Sequence, residues 1–290
     1  MQREKIIPEY FKIEDLPIGL SKQKQQLIGE LHDHEYTEIV IITSGSGYQL
    51  YNGVTLPVST GEVYVIPKGC AHAWEKVENL SLVNVMVSSF ESIELLQELQ
   101  AHPAFSSFFK LEPNLRNQQK GGGRLTLTSE SLNEVVRVLE RLELALQKQS
   151  SHSATLATIQ LLNLIHIFCD AYLNSSGKNY KMTLRIDKAI CYLQSNWKEE
   201  PSVQELSEMI HVSASTFYRL FRSATGLTPI QYVNAIRIEH ACELLKQSDL
   251  NISEIASELG FSESNYFART FRSIKKMSPR AYRHLEPEHS

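Results

Sequence analysis

The sequence is short of cysteine and of uninterrupted apolar residues, and each shortage excludes a class of protein. Its 290 residues include four cysteines, none of them in a CxxC pair: Cys70, Cys169, Cys191 and Cys242. Scattered cysteines of this kind indicate reduced thiols in the cytoplasm rather than a disulfide-bonded secreted domain. The most apolar stretch, residues 156–168, is interrupted by polar side chains, and residues 1–12 lack an apolar secretion signal. Neither a membrane span nor export is therefore expected.

Net charge is also small, −4 for the whole chain, and it is divided unevenly. Residues 176–290 contain 15 Lys and Arg against 13 Asp and Glu, whereas residues 1–175 contain 14 against 20. A mildly basic part joined to an acidic part is typical of a nucleic-acid reader attached to an effector domain. Because the bias is mild, the placement of individual arginines is more informative than the total.

One helix-turn-helix pattern occurs twice within residues 201–283. The copies align at an offset of 49 before the turn, where Leu206 matches Ile255, and at an offset of 50 beyond it, where Phe217 matches Phe267. The second copy therefore has one extra residue at its turn. Apolar residues recur at helical spacing on both sides of each turn, which predicts two short amphipathic helices per copy. Ser213 is predicted to cap the second helix of the first copy.

The second helix of each copy carries basic residues and no acidic ones. If the apolar stripes are buried, eight side chains are predicted to point outward and contact DNA: Ser215, Tyr218, Arg219, Arg222, Ser264, Asn265, Arg269 and Arg272. Arginine can bind guanine, and asparagine can bind adenine, through paired hydrogen bonds in the major groove. The alternative is two ordinary hairpins with solvated basic faces, and duplication with matched basic faces argues against it.

This stretch resembles the paired helix-turn-helix domain of AraC/XylS-type transcription regulators. The most specific matches are Ile255-Ala256, Gly260-Phe261-Ser262, Tyr266-Phe267, Arg269, Phe271, Ser278-Pro279 and Tyr282-Arg283. The resemblance implies two modules joined by a long helix, entering successive major-groove faces of one site in double-stranded DNA. Lys276 departs from the family, which has a glycine at the end of the second reading helix, as Gly226 stands in the first copy. A non-glycine residue there costs about 1 kcal/mol if the left-handed cap is kept.

Short β-rich segments interrupted by Gly, Pro and Asn occupy residues 28–87. Strands are predicted over residues 37–42, 48–51, 62–66 and 80–87, with a turn at residues 44–47 and a hairpin at Asn52-Gly53. Several short strands at this spacing predict a small β-barrel or a double-sheet jelly roll.

Four potential metal ligands lie in this region: His32, His34, Glu38 and His72. The first three are separated by even numbers of residues and can share one face of a strand. Such a set could hold a divalent transition metal such as Fe, Mn, Ni or Zn. Alternatively, the four side chains line a sugar-binding pocket or satisfy one another. Three aromatic residues could line the same pocket, although each taken alone is better explained as core: Tyr48, Tyr64 and Trp74.

The spacing of these residues resembles the two sequence motifs of cupins. The residues that carry the resemblance are His32, His34, Glu38 and Gly45 in the first motif, and Gly61, Pro67, Gly69 and His72 in the second. Gln26 and Lys76 depart from it, since the motifs have Gly and Asn there. Sugar-responsive AraC-type regulators of the rhamnose branch carry such a domain, and the resemblance implies that it binds a small-molecule effector, a carbohydrate, without catalysis.

Two amphipathic helices are predicted between these parts, over residues 129–147 with Ser129 as cap and over residues 154–173. Their apolar stripes can pack within their own domain, and the family resemblance implies that they also form a homodimer. A helix near residues 92–99, a glycine-rich loop at residues 120–123 and a polar linker at residues 174–182 complete the chain.

The predicted fold class is α+β, with a cupin-like β-barrel or jelly roll, a helical linker and an all-α double helix-turn-helix domain. The predicted domains are residues 1–128 for effector binding, 129–182 for dimerisation and linkage, and 183–290 for DNA binding. The expected function is a cytoplasmic, non-enzymatic transcription regulator whose partners are operator DNA, an effector and RNA polymerase. The alternative is a cupin metalloenzyme or metal sensor fused to a DNA-binding domain.

Overall fold

The computed structural model describes residues 2–4, 10–13, 16–24, 29–90, 92–93, 95–96, 99, 102–116, 124–148, 151–175, 178–199 and 201–284. The chain forms two compact units, which divide between Leu184 and Arg185. The helix predicted near residues 92–99 lies only partly within the described residues, and the glycine-rich loop predicted at residues 120–123 lies outside them. The predicted division into three domains stays a prediction.

Within the described residues, one sheet of eight strands organises the first unit. In chain order the strands are β1 (Gln2–Glu4), β2 (Ile18–Gln23), β3 (His32–His34), β4 (Thr37–Tyr51), β5 (Val54–Ser59), β6 (Glu62–Ile66), β7 (His72–Val87) and β8 (Leu125–Thr126). Pairing is antiparallel except between β1 and β3, which are parallel.

Strands β4 and β7 are long enough to take part in both halves of the sheet. The first half of β4, up to Ile42, pairs with β6 and with the end of β7, whereas its second half, from Ser46, pairs with β5 and with the start of β7. Three register shifts lie between Ile42 and Tyr48. Bulges of this kind bend a strand and increase its twist, so the sheet folds across β4 and β7 into two halves.

The two turns predicted in this region have different outcomes. The turn predicted at residues 44–47 is wrong, because the backbone continues there as strand β4. Gly45 has a φ of +81°, and a Cβ at this position would lie 2.2 Å from the carbonyl oxygen of Asn79 on β7. Glycine is therefore required by a bulge and not by a chain reversal. The hairpin at Asn52 and Gly53 is confirmed, since both residues have positive φ, as a type I′ turn requires.

The folded sheet has one apolar core on each of its faces. The interior core contains Val40, Ile42, Tyr51, Leu56, Val58, Tyr64, Ile66, Trp74, Leu80 and Leu82, which come from both halves of the sheet. The outer core contains alternate residues of the same strands, such as Ile39, Ile41, Val63 and Val85, and extends into the helices of this unit. Residues such as Val40 and Ile41 thus fill different cores, because successive side chains on a strand point to opposite faces.

Four described helices and a π-helical turn accompany the sheet: α1 (Pro103–Phe105), the π turn (Ser106–Leu111), α2 (Glu112–Leu115), α3 (Ser129–Gln147) and α4 (Ser151–Leu173). The predicted cap of α3 is wrong by one residue, because the Thr128 side chain, not that of Ser129, accepts the hydrogen bond from the Ser131 amide. On α4, Leu156 and Ile159 are 48% and 46% exposed, so this part of its apolar stripe is not packed within the single chain.

Among the described residues, one helix is long and apolar enough to cross a membrane by length and composition. It is His152–Leu173, whose most apolar window has a mean hydropathy of 1.4 and is 39% buried. Leu161, Ile165 and Phe168 of this helix belong to the outer core of the sheet. Part of its apolar character is therefore accounted for by packing within the unit.

The chain passes into the second unit within helix α5 (Lys178–Ser195), and the described part of that unit is helical. The elements that follow are α6 (Val203–Met209), α7 (Ala214–Thr225), α8 (Pro229–Gln247), α9 (Ile252–Glu258), α10 (Ser264–Lys275) and α11 (Pro279–Arg283). Helix α5 begins inside the stretch predicted as a polar linker, so residues 178–182 are helical. The predicted fold class, a sheet-containing unit followed by a helical double helix-turn-helix unit, is confirmed.

Candidate nucleic-acid interface and effector pocket

The structure confirms that the helix-turn-helix pattern is duplicated with one extra residue at the second turn. Helices α6 and α9 start at Val203 and Ile252, and helices α7 and α10 start at Ala214 and Ser264. The offset thus changes from 49 to 50 across the turn.

The second helix of each copy, α7 in the first and α10 in the second, is called a reading helix below. Both reading helices bury their apolar stripes and leave their polar faces outward. Phe217, Leu220, Phe221 and Ala224 are buried on α7, and Phe267 and Phe271 are buried on α10. Of the eight residues predicted to contact DNA, Ser264 is half-buried. The other seven are exposed: Ser215, Tyr218, Arg219, Arg222, Asn265, Arg269 and Arg272. Each helix therefore has the surface that contact with a major groove requires.

The ends of the reading helices explain their orientation locally. The Ser213 hydroxyl accepts a hydrogen bond from the Thr216 amide at 3.3 Å, which confirms Ser213 as the cap of α7. In the second copy Glu263 occupies the capping position and makes no side-chain cap bond. The left-handed cap that ends α7 at Gly226 is kept at Lys276, where φ is +61° and ψ is +10°.

One basic residue of α10 is partly neutralised. The Nζ of Lys275 lies 2.7 and 2.8 Å from the two carboxylate oxygens of Glu239 on α8. The hydrogen bond to Glu239 raises the pKa of the Lys275 ammonium. The charge available to DNA on and just after α10 is thus concentrated at Arg269, Arg272 and Lys276, since Lys275 is held by the connecting helix.

Helix α8 connects the two modules and is fastened by a buried arginine that the sequence pattern did not reveal. The Arg237 guanidinium, 2% exposed, donates to the backbone carbonyls of four residues at 2.9 to 3.3 Å: Trp197, Lys198, Glu199 and Gly260. On the same helix, the Asn234 amide donates to the Tyr266 hydroxyl of α10 at 2.8 Å. The signal that could have identified Arg237 is a lone arginine at an otherwise buried helical position.

In the first unit, three of the four predicted metal ligands converge in the interior of the folded sheet. The Nε2 atoms of His34 and His72 lie 3.6 and 3.4 Å from Oε2 of Glu38. All three side chains are buried, and their candidate ligand atoms lie within 4.8 Å of one another. Burial alone would raise the pKa of the Glu38 carboxyl, but the two histidines outweigh it and lower the pKa to about 2. Glu38 is therefore a carboxylate.

The histidine tautomers are fixed by backbone carbonyl groups. Nδ1 of His34 lies 2.6 Å from the carbonyl oxygen of Tyr36, and Nδ1 of His72 lies 3.4 Å from that of Cys70. A carbonyl oxygen only accepts, so Nδ1 must carry the proton in each ring. In a neutral imidazole of this tautomer Nε2 carries the lone pair and faces the Glu38 carboxylate, so both nitrogens are oriented as ligand atoms toward the same point.

Of the other residues predicted to line the pocket, two lie in the interior core, one lies at the edge of the histidine cluster and one lies on the outside. His32 lies at the edge of the cluster, with its ring centroid 4.4 Å from that of His72, and it is not part of the group of close ligand atoms. Tyr64 and Trp74 belong to the interior core. Tyr48 does not, because it is 41% exposed and faces the opposite side of β4, near Lys76. The bulges in β4 shifted its side-chain alternation, which the regular strand period could not anticipate.

Two interior polar residues were missed from the sequence. Gln49 is fully buried, and neither polar atom of its amide has a hydrogen-bond partner among the described residues. Its cross-strand neighbours Leu56 and Trp74 are interior core residues. Arg116 enters from the end of α2, donates to the Val65 carbonyl at 2.7 Å and lies over the Tyr51 ring at 4.6 Å. Gln49 sits on a strand that was predicted to be interrupted by a turn, and Arg116 follows a poorly patterned segment.

Comparison with known proteins agrees with both units. A helix-turn-helix domain family matches residues 206–284, and a cupin domain family matches residues 22–87. The HTH-type transcriptional activator RhaS of Enterobacter sp. (strain 638) is 26% identical over 278 residues, covering 95% of each chain. The activator RhaR of Mannheimia succiniciproducens is 26% identical over 274 residues, covering 94% of each.

The chain belongs to the AraC-type transcription regulators. Among solved structures, the DNA-binding domain of AdpA in complex with a target DNA is 31% identical, with a TM-score of 0.32, covering 34% of this chain and 89% of that one. This regulator is a DNA-binding protein with an effector domain. The similarity covers 95% and 94% of the two relatives, and both are named as transcriptional activators. The metalloenzyme alternative is therefore not supported.

Proposed function

We propose that this regulator binds a carbohydrate in the interior of its folded sheet and that the sugar changes its affinity for operator DNA. The observation that carries the proposal is the set of buried polar atoms without hydrogen-bond partners among the described residues: both amide atoms of Gln49, the Tyr64 hydroxyl and Nη1 of Arg116. Each such group costs about 1–3 kcal/mol when left unsatisfied. A ligand with several hydroxyl groups would remove that cost.

The same interior offers the apolar surface that a sugar ring needs. Tyr51, Tyr64 and Trp74 lie in the interior core beside the polar groups. Burial raises the pKa of the Tyr64 phenol well above its usual value, so the hydroxyl stays protonated and can donate to a ligand oxygen. Resemblance to the rhamnose branch and the relatives' names as activators support a sugar-dependent activator.

The effector must bind one conformation of the regulator more tightly than another, since only differential affinity shifts a conformational population. Arg116 supplies a physical route within the first unit. It contacts Tyr51 and Tyr64 in the interior and ends the helical segment 103–115. A ligand that draws hydrogen bonds from Arg116 would move this segment against the sheet.

The reading helices are proposed to contact bases through Ser215, Tyr218, Arg219, Ser264, Asn265 and Arg269, with Arg222 and Arg272 on phosphates. Two half-sites would be bound by a homodimer in the cytoplasm, and a bound activator would contact RNA polymerase. Exposed leucine and isoleucine side chains on α3 and α4 support the dimer: Leu144, Leu156 and Ile159. These helices pack on each other, so an adjacent copy would find an apolar surface there.

The interior histidine cluster is proposed to hold a divalent transition metal. His34, Glu38 and His72 would be its ligands, with His32 at the edge of the site. The donor set of imidazole and carboxylate suits Zn, Fe, Mn or Ni, and the carbonyl groups that hold the Nδ1 protons leave Nε2 available as ligand atoms. A bound metal would act as a Lewis acid toward ligand oxygens. Metal content per chain, measured on tag-free protein purified without chelator, should be stoichiometric and should fall in His72→Ala but not in the exposed His152→Ala.

Sugar control is tested by the affinity for a DNA site selected from a random pool by the full-length protein. Fluorescence anisotropy should show that one monosaccharide in a panel changes the dissociation constant. Gln49→Leu should abolish this response and leave the sugar-free affinity within about twofold, because Gln49 lies outside the DNA-binding unit. Gln147→Leu, an exposed change on α3, should respond like wild type. A Gln49→Leu protein with a wild-type response would overturn the proposed pocket.

A further inference from the structure

A second group of metal-ligand side chains lies on the helical face of the first unit, outside the interior pocket. His102 precedes α1, and His166 and Asp170 lie on α4. Nε2 of His102 lies 3.2 Å from Oδ1 of Asp170, and Nε2 of His166 lies 3.5 Å from Oδ2 of Asp170. From this geometry we propose that His102, His166 and Asp170 form a binding site for Zn²⁺ or a similar divalent transition metal.

The distances between the ligand atoms fit a tetrahedral site. With metal–ligand bonds of about 2.0–2.2 Å, two ligands of a tetrahedron are roughly 3.4 Å apart. The N–O distances of 3.2 and 3.5 Å are close to this value, each to a different carboxylate oxygen of Asp170, so a metal between the two imidazoles would meet the carboxylate through one or both oxygens. His166 and Asp170 are four residues apart and therefore lie on one face of the helix, and His102 brings the third ligand from a different element. The three ligand atoms lie within 4.8 Å of one another.

The surroundings leave room for the metal and for its remaining ligand. His166 and Asp170 have side chains that are 55% and 51% exposed, whereas His102 is 19% exposed. Both α4 residues line a solvent-open depression with further oxygen and nitrogen donors, including Asn163, Asn174 and Glu134. Three protein ligands with an open fourth position are typical of zinc sites that keep a water or take another ligand.

One hydrogen bond opposes metal binding and therefore lowers the affinity of the site for the metal. Nδ1 of His102 accepts from the Ala104 amide at 3.3 Å and caps α1, so the proton of a neutral ring resides on Nε2. Binding through Nε2 moves this proton to Nδ1 and removes the cap bond. The site is therefore exchangeable and loaded according to metal concentration, unlike a closed structural zinc site.

The position of the site gives the metal a consequence for the effector pocket. His102 stands at the start of the continuous helical segment 103–115, and Arg116, directly after it, reaches the interior tyrosines. A metal that fastens His102 to α4 would restrain one end of this segment. We expect bound Zn²⁺ to shift the sugar response, a consequence that rests on the proposed sugar pocket, whereas the metal site itself does not.

The experiment is a Zn²⁺ titration of the full-length protein in competition with a chromophoric chelator. His166→Ala should lose one binding event or weaken it more than about tenfold, since even loss of a residue that supports a metal ligand costs that much. His152→Ala is the matched control, because it removes an exposed histidine from the same helix, and it should bind like wild type. His72→Ala should keep the event, which separates this site from the interior cluster.

Co²⁺ supplies a second readout that depends on ligand geometry. His72→Ala, in which the interior cluster is broken, should show the intense visible absorption of four-coordinate Co²⁺, and the double variant His72→Ala/Asp170→Ala should lose it. The proposal is overturned if His166→Ala and His102→Ala fold, bind as much Zn²⁺ as His152→Ala and do so with unchanged affinity. A sugar response that persists in His166→Ala would leave the effector pocket standing whether or not this metal site exists.

Discussion

At the scale of single residues, the two helix-turn-helix copies have the same left-handed backbone positions but place glycine at different ones. Each copy has two left-handed positions, one in the turn and one after the reading helix. The first copy has His211 and Gly226 there, and the second has Gly260 and Lys276, all with φ between +55° and +75°. Gly260 is required by packing as well, because a Cβ would lie 2.9 Å from the Lys198 carbonyl oxygen.

Lys276→Gly should therefore stabilise the protein. A left-handed lysine is strained by about 1 kcal/mol relative to glycine, part of which is offset by the entropy that glycine loses on folding. The expected gain is roughly 0.5 kcal/mol, measured by urea denaturation of the full chain. The control is Gly260→Ala, which should lose more than about 1 kcal/mol because it adds a steric contact to the same backbone strain. A less stable Lys276→Gly protein would contradict this account of the cap.

Arg269→Ala should weaken binding to the selected DNA site by about 1–3 kcal/mol and relax the base preference at a few positions. Arg269 is exposed on the outward face of α10, where its guanidinium can reach base edges. Lys275→Ala, further along the same helix, should have a smaller effect, because Glu239 already holds that charge. Binding curves and selection from a random DNA pool measure both quantities. Unchanged preference in Arg269→Ala would mean that a different face reads the DNA.

At the scale of elements, helix α8 determines how the two reading modules are held. Its start is a complete capping box, in which Thr228 and Gln231 each satisfy the other's backbone amide, and Pro229 suits the first turn. Its 19 residues correspond to about 28 Å of helix, close to the ~34 Å between successive major-groove faces. That match of spacing stays a prediction. The buried contacts of Arg237 and Asn234 fasten α8 to the segments before and after it.

Arg237→Met should destabilise the second unit by about 3 kcal/mol or more. Methionine keeps much of the side-chain volume but leaves four backbone carbonyl groups without their donor, and each such loss costs about 1–3 kcal/mol if water cannot replace it. Lys188→Met, an exposed change on α5, is the control and should be nearly neutral. The stability of both variants is measured by thermal unfolding followed by circular dichroism. Equal stability of the two variants would show that the Arg237 hydrogen bonds do not stabilise the second unit.

At the scale of the whole molecule, both faces of the sheet in the first unit are covered by packed side chains. The interior face surrounds the polar cluster and the outer face is covered by helices α3 and α4. The helices in turn leave a row of apolar side chains outward, among them Leu156 and Ile159. The dimer proposal depends on this outward row.

Ile159→Asp should convert a dimer to a monomer at micromolar concentration. A charged side chain at the centre of an apolar contact is costly to bury, whereas the same residue is 46% exposed in the single chain, so folding should be preserved. Sedimentation equilibrium gives the oligomeric state. The control is Asn52→Asp, which adds the same charge at the exposed hairpin between β4 and β5 and keeps a residue type that this turn accepts. If wild type is monomeric, or if Ile159→Asp remains dimeric, the interface lies elsewhere.

The sequence by itself determined the features that depend on local patterns. The duplicated helices, the extra residue at the second turn, the Ser213 cap and the Asn52-Gly53 hairpin all follow from spacing or from the backbone preferences of single residues. The outward position of the polar faces of α7 and α10 was also predictable, because a helix buries one stripe and leaves the opposite face in solvent whatever its partner. The cluster of His34, Glu38 and His72 could be proposed because its motif spacing is itself a local signal.

Only the tertiary structure decided which residues meet across the folded sheet. Bulges in β4 turned Tyr48 outward and Gln49 inward, and they replaced a predicted turn with a continuous strand. Arg116 reaches the interior from a segment far along the chain, and Arg237 finds its four carbonyl groups in two separate segments of the second unit. These placements depend on pairing between distant residues, where a shift of one position exchanges the two faces of a strand, and no local pattern contains that information.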